Sequence, residues 1–294
     1  MNESLQPFEV QREALTERLK LKEQWESQIK ILNEVGILEI LPESQELGII
    51  GIDQKEYPIP NYEDILNKIT QEQADLVTQK TEQGFNKLIL VPFAKSLQET
   101  IELYARLLVQ KKHEKTLVGA ENEEFDLDIN NPIVDMTKND SLFYIPSNGK
   151  RFTKSEFLVS EMRYPGWQVA LIEDSPVPFE KDSDKKEYGY KQPNGDLVRD
   201  WSHQLKLMKE NESYIGEEEI SPEAWLAYAI TNLKEKNQQI DFQNESIDRC
   251  WLGAFSKKGE TVYSLFKNNQ INFHIYSPFE REKSKAIFRS VVQI

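Results

Sequence analysis

The chain has 294 residues, and its 38% hydrophobic and 10% aromatic content argues for globular folding; that length suffices for two domains or one large one. A net charge of −14 opposes duplex nucleic acid as a partner, because an acidic surface repels the phosphate backbone. No apolar run approaches the ~20 residues of a membrane span, and the single cysteine, Cys250, excludes an internal disulfide framework or a thiolate metal cluster within one chain.

Met1 to Gln11 carries acids but no basic cap followed by an apolar block, so a secretory leader is not expected and a cytoplasmic location is. The first helix is predicted from Phe8 to Glu34, with Leu15, Leu19, Trp25, Ile29 and Leu32 on its apolar side and Gly36 as its stop. Tyr57 to Pro60 reads as extended, since proline disfavours helix in the residue before it. Asn61 caps a second helix, with Ile65, Ile69, Leu76 and Val77 inward and Gly84 closing it. Leu88 to Val91 is a short apolar run that periodicity leaves open between strand and helical turn. Ser96 and Glu99 form a capping-box pair for a third helix, whose stripe is Leu97, Ile101, Tyr104 and Leu108. These three helices are expected to make a small bundle or antiparallel hairpin, with homo-oligomerisation through them as a secondary possibility.

The acidic stretch from Glu114 to Asn131 marks the expected boundary: a helical region over 1–120 and an α+β domain over 121–294. Leu142 to Ile145 reads as a strand ended by the turn Pro146 to Gly149, Thr153 to Met162 as a helix, and Trp167 to Ile172 as a buried strand. Pro176 to Asp196 is a long surface loop. A helix over Trp201 to Asn211 follows, then one with the best start signal in the chain: Ser221 as cap, Pro222 at the first helical position and Glu223 beside it. Strands are predicted at Trp251–Phe255, Thr261–Phe266, Ile271–Tyr276 and Ala286–Ile294, all in one antiparallel sheet because the turns between them are short. Within the third, Ile271, Phe273 and Ile275 face the core, and Asn272, His274 and Tyr276 form a polar face.

No phosphate loop, dinucleotide fingerprint, nucleophile elbow or paired-histidine zinc motif occurs. Glu123, Glu124, Asp126 and Asp128 have calcium-like spacing without the glycine and distal glutamate of the helical calcium loop, so a solvated loop is expected. Glu217 to Glu219 precede a helix N-terminus, where negative charge suits the dipole. Glu173 and Asp174 follow a buried strand, a place where glycosidase acids can sit; a hydrolase using them is the catalytic alternative. Cys250 reads as a small buried hydrophobe, with a reactive thiol as the competing possibility. Trp167, Trp201, Trp225 and Trp251 read as core. No cofactor and no metal ligand set is expected.

Several segments together resemble a group of uncharacterised bacterial proteins with no assigned activity: Gly84-Phe85-Asn86-Lys87 through Leu90-Val91-Pro92-Phe93, Trp167-Gln168-Val169 with Leu171-Ile172-Glu173-Asp174, and Ser221 to Leu226. The ending is more specific. Trp251-Leu252-Gly253, a glycine turn, polar strands and a closing Phe288-Arg289-Ser290-Val291-Val292 resemble the tail of C-type-lectin-fold modules, among them the variable receptor proteins of diversity-generating retroelements. That resemblance implies a non-catalytic recognition protein, with a protein or other macromolecular ligand bound on the last strands. Carried over by position, the ligand-binding residues would be Tyr263, Lys267, Asn268, Asn269, Asn272, His274, Tyr276 and Ser277. The formylglycine-generating branch of the same fold uses paired cysteines, which Cys250 alone does not supply. The chain departs from the variable-protein pattern at Ile287, where a glycine is usual, and at Lys267, Lys283 and Lys285, which adenine-directed diversification of asparagine codons does not yield.

Overall fold

The computed structural model describes residues 7–120, 122–135, 137, 142–144, 151–160, 162–175, 190–191, 197–198, 214–241, 249–258, 260–276 and 286–294. The helix Trp201–Asn211, the turn Pro146–Gly149 and most of the loop Pro176–Asp196 lie outside these residues.

The predicted first helix is two: α1 (Pro7–Leu19) and α2 (Leu21–Glu34), broken at Lys20, which takes left-handed angles (φ 48, ψ 43). The break has a packing reason. Leu19 and Leu21 are both buried, yet two positions apart on a continuous helix they would point to nearly opposite sides. Three short strands follow, β1 (Glu39–Ile40), β2 (Leu47–Ile50) and β3 (Glu56–Pro58), paired antiparallel in that order. The expected second helix also divides. Asn61 caps α3 (Tyr62–Lys68), accepting from the Glu63 N–H, and Thr70 with Gln73 then builds a reciprocal capping box for α4 (Gln71–Glu82). The open assignment at Leu88 to Val91 resolves as β4 (Phe85–Val91), followed by α5 (Leu97–His113), whose cap Ser96 accepts from Glu99.

Next come β5 (Ile133–Asp135), β6 (Phe143–Tyr144), β7 (Phe152–Thr153), α6 (Lys154–Ser160), β8 (Gln168–Glu173), β9 (Tyr190–Lys191), β10 (Leu197–Val198) and β11 (Glu218–Glu219). Helix α7 (Pro222–Lys236) starts as predicted, with the Ser221 hydroxyl accepting from the Ala224 N–H and proline in the first turn. The chain closes with β12 (Arg249–Phe255), β13 (Thr261–Lys267), β14 (Gln270–Tyr276), β15 (Ala286–Phe288) and β16 (Ser290–Gln293).

The protein is α+β. Four strands form one sheet in the order β11–β16–β8–β4, all antiparallel. Seven form a second, in the order β5–β14–β13–β12–β6–β7 with β15 also on β12. Helix α7 packs against β4 of the first sheet and β12 of the second, with α5 and α2 also on it. Every residue from Pro222 to Leu233 is consequently buried, the signature of a helix enclosed on all sides. Residues before and after 120 share the first sheet through β4 and β8, and the helices of the first part pack on β4 and α7 rather than only on one another.

The single closing strand was an expectation that fails. Ala286 to Phe288 runs parallel to β12, whereas Ser290 to Gln293 joins the other sheet between β11 and β8. Arg289 is the crossing point, 1% exposed, its guanidinium on the Asp241 carboxylate and over the Tyr228 ring. Parallel pairing also enters at the far edge, where β5 lies along β14, so the second sheet is mixed rather than purely antiparallel.

Candidate functional site

The hairpin β13–β14 follows from its turn. Lys267 pairs with Gln270, which leaves Asn268 and Asn269 as a two-residue loop. Both take positive φ (54° and 62°), the requirement of the hairpin turn whose twist matches that of the strands, and asparagine tolerates it well. On one face, Val262, Ser264, Ile271 and Phe273 are buried, and the Phe273 ring meets Trp225 of α7 edge-on, with centroids 5.5 Å apart. The inward phase of the alternation is therefore as the sequence indicates.

The opposite face is not the open polar surface expected. Tyr263 is 6% exposed and Asn272 8%, and their neighbours Thr261 and Leu265 are buried as well. Both sides of β13 are covered, which period-two alternation cannot anticipate because it sees only the strand itself. The Asn272 amide is taken up by its own hairpin, donating to the Gln270 carbonyl at 2.8 Å. His274 is half-buried and stacks on Tyr263, centroids 5.6 Å apart and ring planes 15° from parallel. Lys267, Asn268 and Asn269 are exposed at the tip. Tyr276 ends β14, its side chain outside the described residues, as is the whole of Ser277.

Sequence reasoning missed the support of this tip. The acidic loop taken as merely solvated clasps it: Asn269 Nδ2 donates to Asp126 Oδ2 at 2.9 Å, and the Asp128 N–H donates to the Asn269 carbonyl at 2.7 Å. Gln270 adds a bond to the Asn131 carbonyl, and the Phe125 and Phe266 rings lie 4.4 Å apart beneath. Phe125, an aromatic residue within an acidic run, was the available signal for a docked loop.

The catalytic alternative maps to a polar groove of about 530 Å³ whose lining includes Lys20, Gln24, Asn86, Lys87, Asp174 and Glu235. Asp174 is held by Lys236 at 2.6 Å, and Glu235 by Lys87 at 2.7 Å. Glu173 is buried at the end of β8 rather than open to the groove's solvent. Cys250 is fully buried, and burial foremost pushes its thiol well above the ordinary range, opposite to what a nucleophile needs. Glu217, one of the acids preceding the α7 N-terminus, is enclosed with Lys80, the two bonded at 2.7 Å.

A second cluster went unread in the sequence. Glu223, 2% exposed at the start of α7, accepts through Oε1 from the Tyr144 hydroxyl at 2.7 Å and the Lys154 ammonium at 2.9 Å. Burial, and then the Glu223 charge, raise the Tyr144 phenol far above its usual range, so it stays a donor. Among the described residues, no group of three or more His, Cys, Asp or Glu is arranged to hold a metal ion, and no helix is long and apolar enough to cross a membrane. Large exposed apolar side chains among those described are the scattered Ile40, Ile52, Ile129, Val159 and Ile215, with none on α2 to α5.

Comparison with protein-family models, with curated proteins and with solved structures finds no significant match to this chain.

Proposed function

We propose that the chain is a non-catalytic recognition protein on a C-type-lectin-like scaffold, meeting a protein or other macromolecular ligand through the exposed tip of the β13–β14 hairpin and the half-buried His274 along it. The observation that carries this reading is the anchoring of an exposed polar turn. Lys267, Asn268 and Asn269 are exposed, yet Asp126 and Asp128 hold the turn from outside the hairpin. A surface ordered in advance loses little conformational freedom on binding, and amides beside an aromatic ring supply adaptable hydrogen bonds on a firm base. In this reading His274 is the aromatic contact, and buried Tyr263 and Asn272 are its supports; Tyr276 and Ser277 belong to the set by sequence position.

Two observations favour recognition over the other readings. Asp174 and Glu235 are each matched by a lysine, whereas a glycosidase pair needs one free carboxylate and one protonated. Assembly through the N-terminal helices would need an exposed apolar stripe on them, and among the described side chains no large apolar one is exposed from Leu15 to His113 within these helices.

The test is capture from extracts of the native host, comparing the parent with a Lys267→Glu/His274→Ala variant and a remote Lys30→Ala control. The reading expects proteins retained by parent and control to be lost from the double variant. Retention of all of them by a folded double variant places recognition elsewhere.

A further inference from the structure

A separate cleft of about 230 Å³ lies where the start of α5, the end of β5 and the start of α6 converge, bounded by Ile52, Leu97, Leu142, Asp135, Tyr144 and Lys154. Its charges are unequally satisfied. The Lys154 ammonium donates to Glu223 at 2.9 Å and to the Lys95 carbonyl at 2.7 Å, so Lys154 and Glu223 neutralise each other. Asp135 is half-buried and has no cationic partner among the described residues. The N–H and hydroxyl of Thr137 both donate to its Oδ1, at 2.8 and 2.7 Å, which fixes the carboxylate in place. The wall is short of donors too: Gln98 Oε1, on its lining, is buried with no hydrogen-bond partner. A partly desolvated carboxylate in such surroundings is favoured by a cation brought to it.

We propose that this cleft binds a small organic ammonium ion, with its charged end on Asp135 and its hydrocarbon part against Ile52, Leu97 and Leu142. Two features select an organic cation over a metal. A divalent ion takes six or more oxygen ligands or a cluster of carboxylates, and no such cluster exists among the described residues. Three aliphatic side chains suit a hydrocarbon and do nothing for a hydrated ion.

Calorimetric titration of the full chain with n-butylammonium chloride tests this, with n-butanol as neutral isostere and potassium chloride as inorganic control. Saturable binding of n-butylammonium alone is expected. Asp135→Asn should weaken it ~10-fold or more, as loss of a charged hydrogen bond implies. Ile52→Trp, at a partly exposed position on the cleft wall, should block it without touching the core; circular dichroism verifies that each variant is folded. Absence of saturable binding, equal binding of n-butanol, or parental affinity in both folded variants overturns the proposal.

Discussion

Phe273 of the second sheet presents its ring edge-on to Trp225 of the central helix, with centroids 5.5 Å apart and planes at 84°. The contact fastens the β13–β14 hairpin to a helix that itself touches the first sheet, so the hairpin's position depends on the core. Both rings are fully buried. Phe273→Ala should cost about 3–5 kcal/mol. His274→Ala, one residue on, loses only a half-exposed stacking partner and should cost ~1 kcal/mol. Denaturant melts of the two variants check the order; equal losses would put the wrong face of β14 against Trp225.

The edge of β4 carries a second relationship open to test. Gln24 of α2 acts as a substitute strand: its Nε2 donates to the Asn86 carbonyl and its Oε1 accepts from the Leu88 N–H, both at 2.8 Å. A side-chain amide has the donor and acceptor of a peptide, so it closes an edge that would otherwise invite another strand. Gln24→Ala should destabilise by about 1–2 kcal/mol and speed hydrogen exchange at the Leu88 amide. Unchanged exchange there would mean that the edge is closed by something else.

Arg289 and Asp241 form the buried pair at the crossing between sheets. Removing one partner strands a charge without solvent, so Asp241→Ala should cost about 3–5 kcal/mol. Replacing both by apolar residues of similar volume should restore much of that loss. A double variant no more stable than the single one would show that the pair, and not merely its neutrality, directs the chain between sheets.

Glu218 on β11 gives a pH signature. Burial raises its carboxyl above the ordinary value, only partly opposed by a bond with the Gln293 side chain. Its folded pKa exceeds its unfolded one, so the folded state holds the proton more tightly. The group is neutral to folding in acid, and it becomes destabilising as pH rises from the unfolded pKa through the folded one. Glu218→Gln should therefore raise the melting temperature at neutral pH and leave it unchanged in acid. A gap independent of pH would contradict that origin.

Much of the local structure was readable from the sequence because its causes are local. Asn61, Ser96 and Ser221 cap helices through their own side chains, Asn268-Asn269 sets a two-residue turn, and the inward phase of Ile271 and Phe273 follows from alternation. What escaped depends on distant partners. Nothing near Lys20 marks a break, since no glycine or proline is there; the break is imposed by burying Leu19 and Leu21 together. The split at Arg289 needs Asp241, 48 residues earlier. Within the candidate site the same division holds. The exposed tip was legible, whereas burial of Tyr263 and Asn272 and the clasp from Asp126, 143 residues before Asn269, were not.

Recognition through the hairpin is tested most directly by hydrogen exchange on the full chain, with and without the protein that it captures from host extract. Slowed exchange confined to the β13–β14 tip, at Lys267 to Asn269 and along β14 past His274, with the 123–131 loop following, is the predicted result. Protection centred instead on the groove of Asn86, Asp174 and Glu235, with the hairpin unchanged, would contradict it.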